Sequence, residues 1–205
     1  MTRIIIADLI EWKQNIVRKK PLVLKGARQV GKTWVLREFG KNYYEKEGHS
    51  THYVDFRESK RFHSIFQETS NPGEIIKLLE FQLRRHIDTA NDLLIFDEIQ
   101  ECPEAITSFK YFEQNLKELD IIAAGSHMGL MKNEEAFPVG KVNFLYMFPM
   151  NFGEFVLEID PNAYHYLDNF DFETPLQSVV HERLLELFTV YSLTGGLPEV
   201  INAFL

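Results

Sequence analysis

The stretch KGARQVGKTW, residues 25–34, places two glycines, a lysine and a threonine at a spacing that suits phosphate binding. Gly26, Gly31, Lys32 and Thr33 meet the pattern G-x-x-x-x-G-K-[ST]. Backbone N–H groups of such a loop form a concave anion site at the positive end of the following helix, and glycine lets the backbone turn sharply there. The predicted phosphate-binding residues are Gly26, Ala27, Arg28, Gln29, Val30, Gly31, Lys32 and Thr33.

Two side chains of this loop suit specific tasks. We expect the Lys32 ammonium to reach the β- and γ-phosphates of a nucleotide and the Thr33 hydroxyl to coordinate Mg²⁺. The alternative is a simple glycine turn, which the strand-loop-helix setting of the motif disfavours. The sequence therefore predicts a nucleotide and Mg²⁺ as cofactors.

The segment DLLIFDEIQ, residues 92–100, carries two carboxylates directly after an apolar run. Residues Leu93–Phe96 show no alternation of apolar and polar types, which is typical of a strand covered on both faces in a parallel sheet. Asp97 is predicted to hold Mg²⁺ together with Thr33, and Glu98 to polarise a water against the γ-phosphate. The alternative for this pair is an ordinary strand end that faces solvent.

A third strand-end group follows the apolar run Ile121–Ala124, where Gly125 and Ser126 close the segment DIIAAGS. Ser126 is predicted to sense the γ-phosphate or to orient the attacking water. The alternative is a serine at a turn, where this residue commonly follows glycine.

Short apolar runs alternate with segments of helical periodicity along the first 150 residues. The predicted strands cover residues 21–26, 52–56, 93–96, 121–124 and 141–148. The predicted helices cover residues 7–19, 32–40, 73–87 and 104–118, the second of them stopped by Gly40. This alternation predicts an α/β fold, with a doubly wound parallel sheet sandwiched by helices and ligands bound at the carboxyl ends of the strands.

The chain changes character beyond residue 160, where an acidic, aromatic and turn-rich segment precedes further helical periodicity. We predict a helix with Thr174 as N-cap and Pro175 and Gln177 in its first turn, running to Gly195, and a second helix from Pro198. Because the chain ends on the apolar segment INAFL, we expect it to be the front part of a longer polypeptide. The predicted domains are a core at residues 1–159 and the start of a small helical domain at residues 160–205.

Composition excludes several classes of protein. The 205 residues, 45% apolar and 25% charged, suit one principal globular domain. No apolar run approaches the roughly 18 residues of a membrane span. The single cysteine, Cys102, excludes an internal disulfide and indicates a reducing cytoplasm. A net charge of -8 argues against a dedicated nucleic-acid-binding role for this segment.

The motifs GARQVGKTW, LLIFDEIQECPEAI, AAGS, FPVGKV, FPMNFGEF and GGLPEV together resemble the bacterial and archaeal AAA+ ATPases whose longer members carry a C-terminal domain of unknown function. The resemblance extends from about Trp12 to Val200. It implies a P-loop NTPase core of the additional-strand-glutamate type, strand order 5-1-4-3-2, and a helical lid from near residue 160. It also implies ATP as the nucleotide, Gly26–Thr33 as Walker A, Asp97 and Glu98 as Walker B, and Ser126 as the first sensor.

Two departures from the family pattern bear on activity. His127 and Met128 follow the GS pair where many relatives have leucines, and Gly140 and Lys141 stand where relatives often have glycine and arginine. A lysine cannot make the planar, bidentate contact of an arginine finger. We therefore expect slow hydrolysis, or an arginine supplied by a protein partner or by the missing C-terminal part.

The function predicted from the sequence is a Mg²⁺-dependent ATPase that couples ATP hydrolysis to conformational change. Two alternatives stay open: a nucleotide-dependent signalling switch with slow turnover, and an ATPase subunit of a DNA-associated system. The sequence does not indicate an oligomeric state.

Overall fold

The computed structural model describes residues 3–15, 19–126, 138, 140–171 and 173–204. The strands in this part of the chain are β1 Leu22–Gly26, β2 Thr51–Asp55, β3 Leu93–Asp97, β4 Asp120–Ser126 and β5 Asn143–Met147. The first helices are α1 Ile5–Gln14, α2 Lys32–Tyr43, α3 Arg61–Glu68, α4 Pro72–Leu83 and α5 Pro103–Asn115. The later helices are α6 Phe152–Ile159, α7 Pro161–Asp168, α8 Ser178–Thr194 and α9 Pro198–Phe204.

Contacts between residues divide the chain into two compact units. The unit called here the sheet unit contains Ile6–Arg28 and Lys32–Met147. The unit called here the helical unit contains Phe148–Leu205 together with Met1–Ile5 and Gln29–Gly31. The predicted domain boundary at residue 160 stays a prediction.

The five strands form one parallel sheet in the order β2-β3-β4-β1-β5. This order, read from the other edge, is the predicted 5-1-4-3-2, and the α/β prediction is confirmed. Every residue of β1, β3 and β4 is buried, which explains their unbroken apolar runs. One side of the sheet packs on an aromatic cluster of Phe56, Phe66, Phe96 and Phe109.

Several predicted helix ends differ from the observed ones. Helix α1 begins at Ile5 and ends at Gln14 rather than covering residues 7–19, of which 16–18 lie outside the described residues. Helix α2 continues past Gly40 to Tyr43. Gly40 is required for close packing and is not a stop, because a Cβ at this position would lie 2.6 Å from Thr51 Oγ1.

Helices α4 and α5 end earlier than predicted, at Leu83 and Asn115. The end of α4 has a local cause: Arg84 adopts left-handed φ and ψ angles of 53° and 38°, which close a helix, and its N–H donates to Glu80 O. Helix α3 was not predicted, although Phe62, Ile65 and Phe66 follow its apolar periodicity.

In the helical unit, α6 and α7 were not predicted either. Asn151 and Glu154 form a reciprocal capping box at the start of α6. Asp160 caps α7 and accepts from Ala163 N. The predicted helix start at Thr174 is wrong: α8 begins at Ser178, because the Thr174 N–H and hydroxyl both donate to Asp171 in a preceding turn.

The predicted end of α8 at Gly195 and the restart at Pro198 are confirmed. These helices pack around a second apolar cluster that includes Met150, Phe155, Leu187 and Ile201. Among the described residues, no single helix has the length and apolar composition of a membrane span. In the part of the chain that the structure describes, only α8 and α9 taken together, which are bent by 117° at their junction, reach that composition.

Candidate nucleotide-binding site

The glycine-rich loop connects the end of β1, which lies between β4 and β5 in the sheet, to the start of α2. Gly26, the last residue of β1, is in register with Ser126 on one side and Met147 on the other. Within the loop, Gln29 has φ 65° and Gly31 has φ 94°. Positive φ is uncommon for a residue with a side chain, so the conformation at Gln29 must be held by its surroundings. Such turns direct successive N–H groups to one side, which is the geometry of an anion site.

Lys32 begins α2 and its side chain folds back over the loop. Its Nζ donates to Gly26 O at 3.0 Å and to Ala27 O at 2.7 Å. Burial lowers the pKa of Lys32, and the negative charges of Glu98 and Asp97 oppose this shift. The ammonium therefore lies at the loop, within electrostatic range of both strand-end carboxylates.

Asp97 is almost completely buried and both of its carboxylate oxygens accept hydrogen bonds. Thr33 Oγ1 donates to Asp97 Oδ2 at 2.5 Å, and the Tyr53 hydroxyl donates to the same oxygen. The N–H of Glu98 donates to Asp97 Oδ1 at 2.9 Å. Burial and the hydrogen bond to Asp97 raise the pKa of Tyr53, so this phenol stays a donor. The carboxylate is fixed in one orientation against the Thr33 hydroxyl.

Glu98 follows β3 in a left-handed conformation, with φ 51° and ψ 41°. Its Oε2 accepts from Arg57 Nη2 at 2.7 Å and also from Gln100 Nε2. Strained backbone of this kind clusters at functional sites. The side chain is 22% exposed and therefore accessible to water.

Ser126 ends β4 directly beside Gly26 and is buried. Since β4 lies between β3 and β1, the sheet brings Gly26, Asp97 and Ser126 to the carboxyl ends of three neighbouring strands. Of the other loop residues, Ala27, Arg28 and Gln29 are exposed and Val30 is buried. Lys141 Nζ pairs with Glu113 Oε2 at 2.8 Å. His127 and Met128 lie outside the described residues.

Sequence reasoning missed three residues that contact the strand-end carboxylates: Tyr53, Arg57 and Gln100. Tyr53 lies on β2, whose last residue Asp55 is in register with Asp97 of β3. Arg37 holds the Tyr53 ring by a cation–π contact, 4.6 Å from the ring centroid. The predicted strand order already places the second strand beside the Asp97 strand, and applying it to the side chains on and just after that strand would have indicated Tyr53 and Arg57.

Residues 18–156 match the protein family described as an AAA domain. No curated protein sequence matches the chain significantly. Similar solved structures include DnaA from Aquifex aeolicus bound to AMPPCP, with 17% identity, a TM-score of 0.49, and coverage of 97% of this chain and 57% of that one.

Two further solved structures have similar sequence identities and TM-scores. The Orc1 protein of Aeropyrum pernix in complex with DNA has 18% identity, a TM-score of 0.48, and coverage of 75% of this chain and 47% of that one. A signal transduction ATPase with numerous domains from Pyrococcus horikoshii has 17% identity and a TM-score of 0.48. The match covers 98% of this chain and 29% of that one. The chain thus spans about half or less of the length of these proteins.

Proposed function

Because the chain belongs to the AAA-domain family of P-loop ATPases, we propose that it is a Mg²⁺-dependent ATPase that couples ATP hydrolysis to conformational change. The observation that carries this proposal is the hydrogen bond of 2.5 Å between Thr33 Oγ1 and Asp97 Oδ2. It joins a hydroxyl at the start of the phosphate-binding helix to a carboxylate at a strand end. These are the two kinds of oxygen that Mg²⁺ prefers as ligands.

Each residue has a role in this proposal. The loop amides and Lys32 bind the phosphates, Thr33 and Asp97 hold the metal ion, and Glu98 accepts a proton from the attacking water. Ser126, beside the first glycine of the loop, senses the γ-phosphate or orients that water. Bound Mg²⁺ would neutralise charge that develops on the phosphate oxygens.

The contacts of Glu98 favour a second candidate function, a nucleotide-dependent signalling switch. Arg57 and Gln100 both donate to Glu98 Oε2, and an oxygen engaged in this way is less available to a water. Slow turnover would follow unless a partner or a further domain of the polypeptide releases Glu98 or supplies an arginine. No contact in the described residues supports an association with DNA. This association and a cytoplasmic location stay predictions.

The test is ATP binding and steady-state hydrolysis with Mg²⁺ for four proteins: the wild type, Lys32→Ala, Glu98→Gln and the control Glu101→Gln. Lys32→Ala removes a charged hydrogen-bond donor, so we expect an affinity loss of about 10- to 100-fold. Glu98→Gln should retain ATP binding and lower kcat at least about 100-fold. Glu101 is exposed in the turn after Glu98, so its variant should behave as the wild type.

The outcomes separate the two functions. Turnover that persists in Glu98→Gln contradicts the role given to Glu98. Tight binding with no turnover in any protein favours the switch. Absence of nucleotide binding in the wild type overturns both functions.

A further inference from the structure

Arg3 is a buried arginine whose guanidinium has a partner on each of its three nitrogens, with the side chain 4% exposed. Its Nε donates to Glu154 Oε1 at 3.0 Å. Its Nη1 donates to Val30 O and its Nη2 to Phe148 O, both at 2.7 Å. A buried guanidinium is costly unless it is paired and hydrogen-bonded. All of these atoms belong to the helical unit.

The Val30 carbonyl is the contact with a functional consequence, because Val30 lies inside the phosphate-binding loop. In a planar trans peptide, the carbonyl of one residue and the N–H of the next point in opposite directions. The bond from Arg3 to Val30 O therefore directs the Gly31 N–H away from Arg3. Gln29 and Gly31, on either side of Val30, both have positive φ, so the loop needs such a restraint to keep its shape.

Glu154 in turn fixes Arg3. Its Oε1 accepts from Arg3 Nε and from the Ile4 N–H at 2.8 Å, and its Oε2 accepts from the Asn151 N–H at 3.0 Å. Glu154 is therefore both the third helical residue of the α6 capping box, whose N-cap is Asn151, and the carboxylate that holds the guanidinium. Since Glu154 is itself buried, neither charge of the pair has water as an alternative partner.

We propose that Arg3 is a positioning residue for phosphate binding. It holds the Val30–Gly31 peptide with its N–H directed into the loop, and Glu154 holds Arg3. The ligand class is a nucleoside di- or triphosphate, so this inference rests on the function proposed above. A lysine in place of Arg3 keeps the charge but cannot donate in three fixed directions.

The test compares the variant Arg3→Lys with a matched control, Arg183→Lys. Arg183 also belongs to the helical unit, where it pairs with Asp160 at 2.9 Å and Glu186 at 3.1 Å, both of them carboxylates outside the loop. The measurements are ADP affinity, KM for ATP, kcat, and hydrogen–deuterium exchange of a peptide that contains Gly31. Circular dichroism and thermal unfolding establish that each variant is folded.

For Arg3→Lys we expect ADP to bind about 10-fold more weakly, with a matching rise in KM and a change in kcat of less than about 3-fold. The Gly31 amide should exchange faster in the absence of nucleotide. Arg183→Lys should match the wild type in all four measurements. A folded Arg3→Lys protein with wild-type ADP affinity and wild-type exchange at Gly31 overturns the proposal, as does a fall in kcat without a rise in KM.

If Arg3→Lys does not fold, Glu154→Gln replaces it. This variant keeps an oxygen for Arg3 Nε and removes the opposing charge. We expect a smaller loss of ADP affinity than for Arg3→Lys, together with faster exchange of the loop amides than in the wild type. Wild-type affinity and exchange in Glu154→Gln would then overturn the proposal. If the wild type binds no nucleotide, the proposed function fails, while loop exchange in the variants still decides whether Arg3 restrains the loop.

Discussion

Thr33 Oγ1 donates to Asp97 Oδ2 across 2.5 Å, and this bond joins the first turn of α2 to the last residue of β3. The two side chains are 64 residues apart in the sequence. They meet because the sheet order sets the ends of β1 and β3 on either side of β4. The bond places a hydroxyl and a carboxylate where they can share one cation.

A first prediction concerns the Thr33 hydroxyl. Thr33→Val keeps the shape of the side chain and removes its oxygen, so the Mg²⁺ concentration for half-maximal ATP hydrolysis should rise at least about 10-fold. Thr33→Ser keeps the oxygen and should stay close to the wild type. The measurement is the ATPase rate against MgCl₂ concentration. The control is Thr107→Val, which removes an exposed hydroxyl that donates to Pro103 O on α5. Unchanged metal dependence in Thr33→Val would contradict the role assigned to Thr33.

A second prediction separates structural from functional effects of Tyr53. Tyr53→Phe and Tyr44→Phe each remove a hydroxyl that donates to a buried carboxylate, Asp97 and Asp120 respectively. Each should lower the free energy of unfolding by about 1.5–3 kcal/mol, measured by urea denaturation.

Only Tyr53→Phe should also weaken the apparent affinity for Mg²⁺, by roughly 10-fold or more, because Tyr53 orients the carboxylate that is proposed to hold the metal ion. The check is the same MgCl₂ titration on both variants. Equal metal dependence in the two would mean that Thr33 and the Glu98 N–H suffice to orient Asp97.

The strands of the sheet show how much of this fold can be predicted from a single sequence. The apolar runs of β1, β3 and β4 were recognised because both of their faces are buried, and hydrophobic periodicity reports burial directly. Three candidate site residues, Gly26, Asp97 and Ser126, could be found for the same reason, since each closes such a run. The order of the strands came from the family resemblance and is confirmed by the structure.

The residues that hold the site could not be found in this way. Arg3, Tyr53 and Arg57 contact Val30, Asp97 and Glu98 through tertiary packing, and no spacing rule joins residues so far apart. Some local signals were present but unused. Asn151 and Glu154 have the spacing of a capping box, which would have indicated α6, whereas the similar pattern at Thr174 was misleading because Asp171 captures that residue.

A third prediction follows from Gly40, which lies inside α2. An alanine gains about 1 kcal/mol of helix propensity over glycine, but its Cβ would approach Thr51 Oγ1 to 2.6 Å and Thr51 Cγ2 to 2.7 Å. Overpacking should dominate, so Gly40→Ala should lower the free energy of unfolding by about 1–3 kcal/mol.

Thermal and urea unfolding check this value. Adding Thr51→Ala to Gly40→Ala should restore most of the loss, since both close contacts are with atoms of the Thr51 side chain beyond Cβ. Gly73→Ala on α4, where a Cβ would have only an ordinary contact of 3.4 Å with Asn71 Oδ1, should be neutral or stabilising. A destabilisation of Gly40→Ala that Thr51→Ala does not relieve would point to the helix backbone instead.

A fourth prediction concerns acid stability and the buried carboxylate of Asp92. Burial by itself raises the pKa of Asp92, but hydrogen bonds from His52 and from the N–H groups of Ser50 and Asp88 outweigh it and hold the pKa below its ordinary value. The unfolded chain therefore binds the proton more tightly. The stability that Asp92 contributes is complete above the unfolded pKa of about 4 and is lost as the pH falls through the lower folded pKa.

Asp92→Asn should lower the free energy of unfolding near neutral pH and weaken its decline below about pH 4. Urea denaturation across this pH range measures both effects. Asp8→Asn, at an exposed carboxylate on α1, is the control and should keep the wild-type slope. If the free energy of unfolding of Asp92→Asn declined at acid pH as steeply as that of the wild type, other carboxylates would account for the decline.

The position of β1 in the sheet has a consequence for biosynthesis. Leu22 pairs with Ile122 on one side and Asn143 on the other, so β1 gains its first neighbouring strand only when β4 has left the ribosome and its second only when β5 has followed. Such non-local pairing slows folding, and an apolar strand without neighbours is prone to aggregation. The sheet setting of the glycine-rich loop is therefore complete only after translation has passed β5, long after the loop itself has been made.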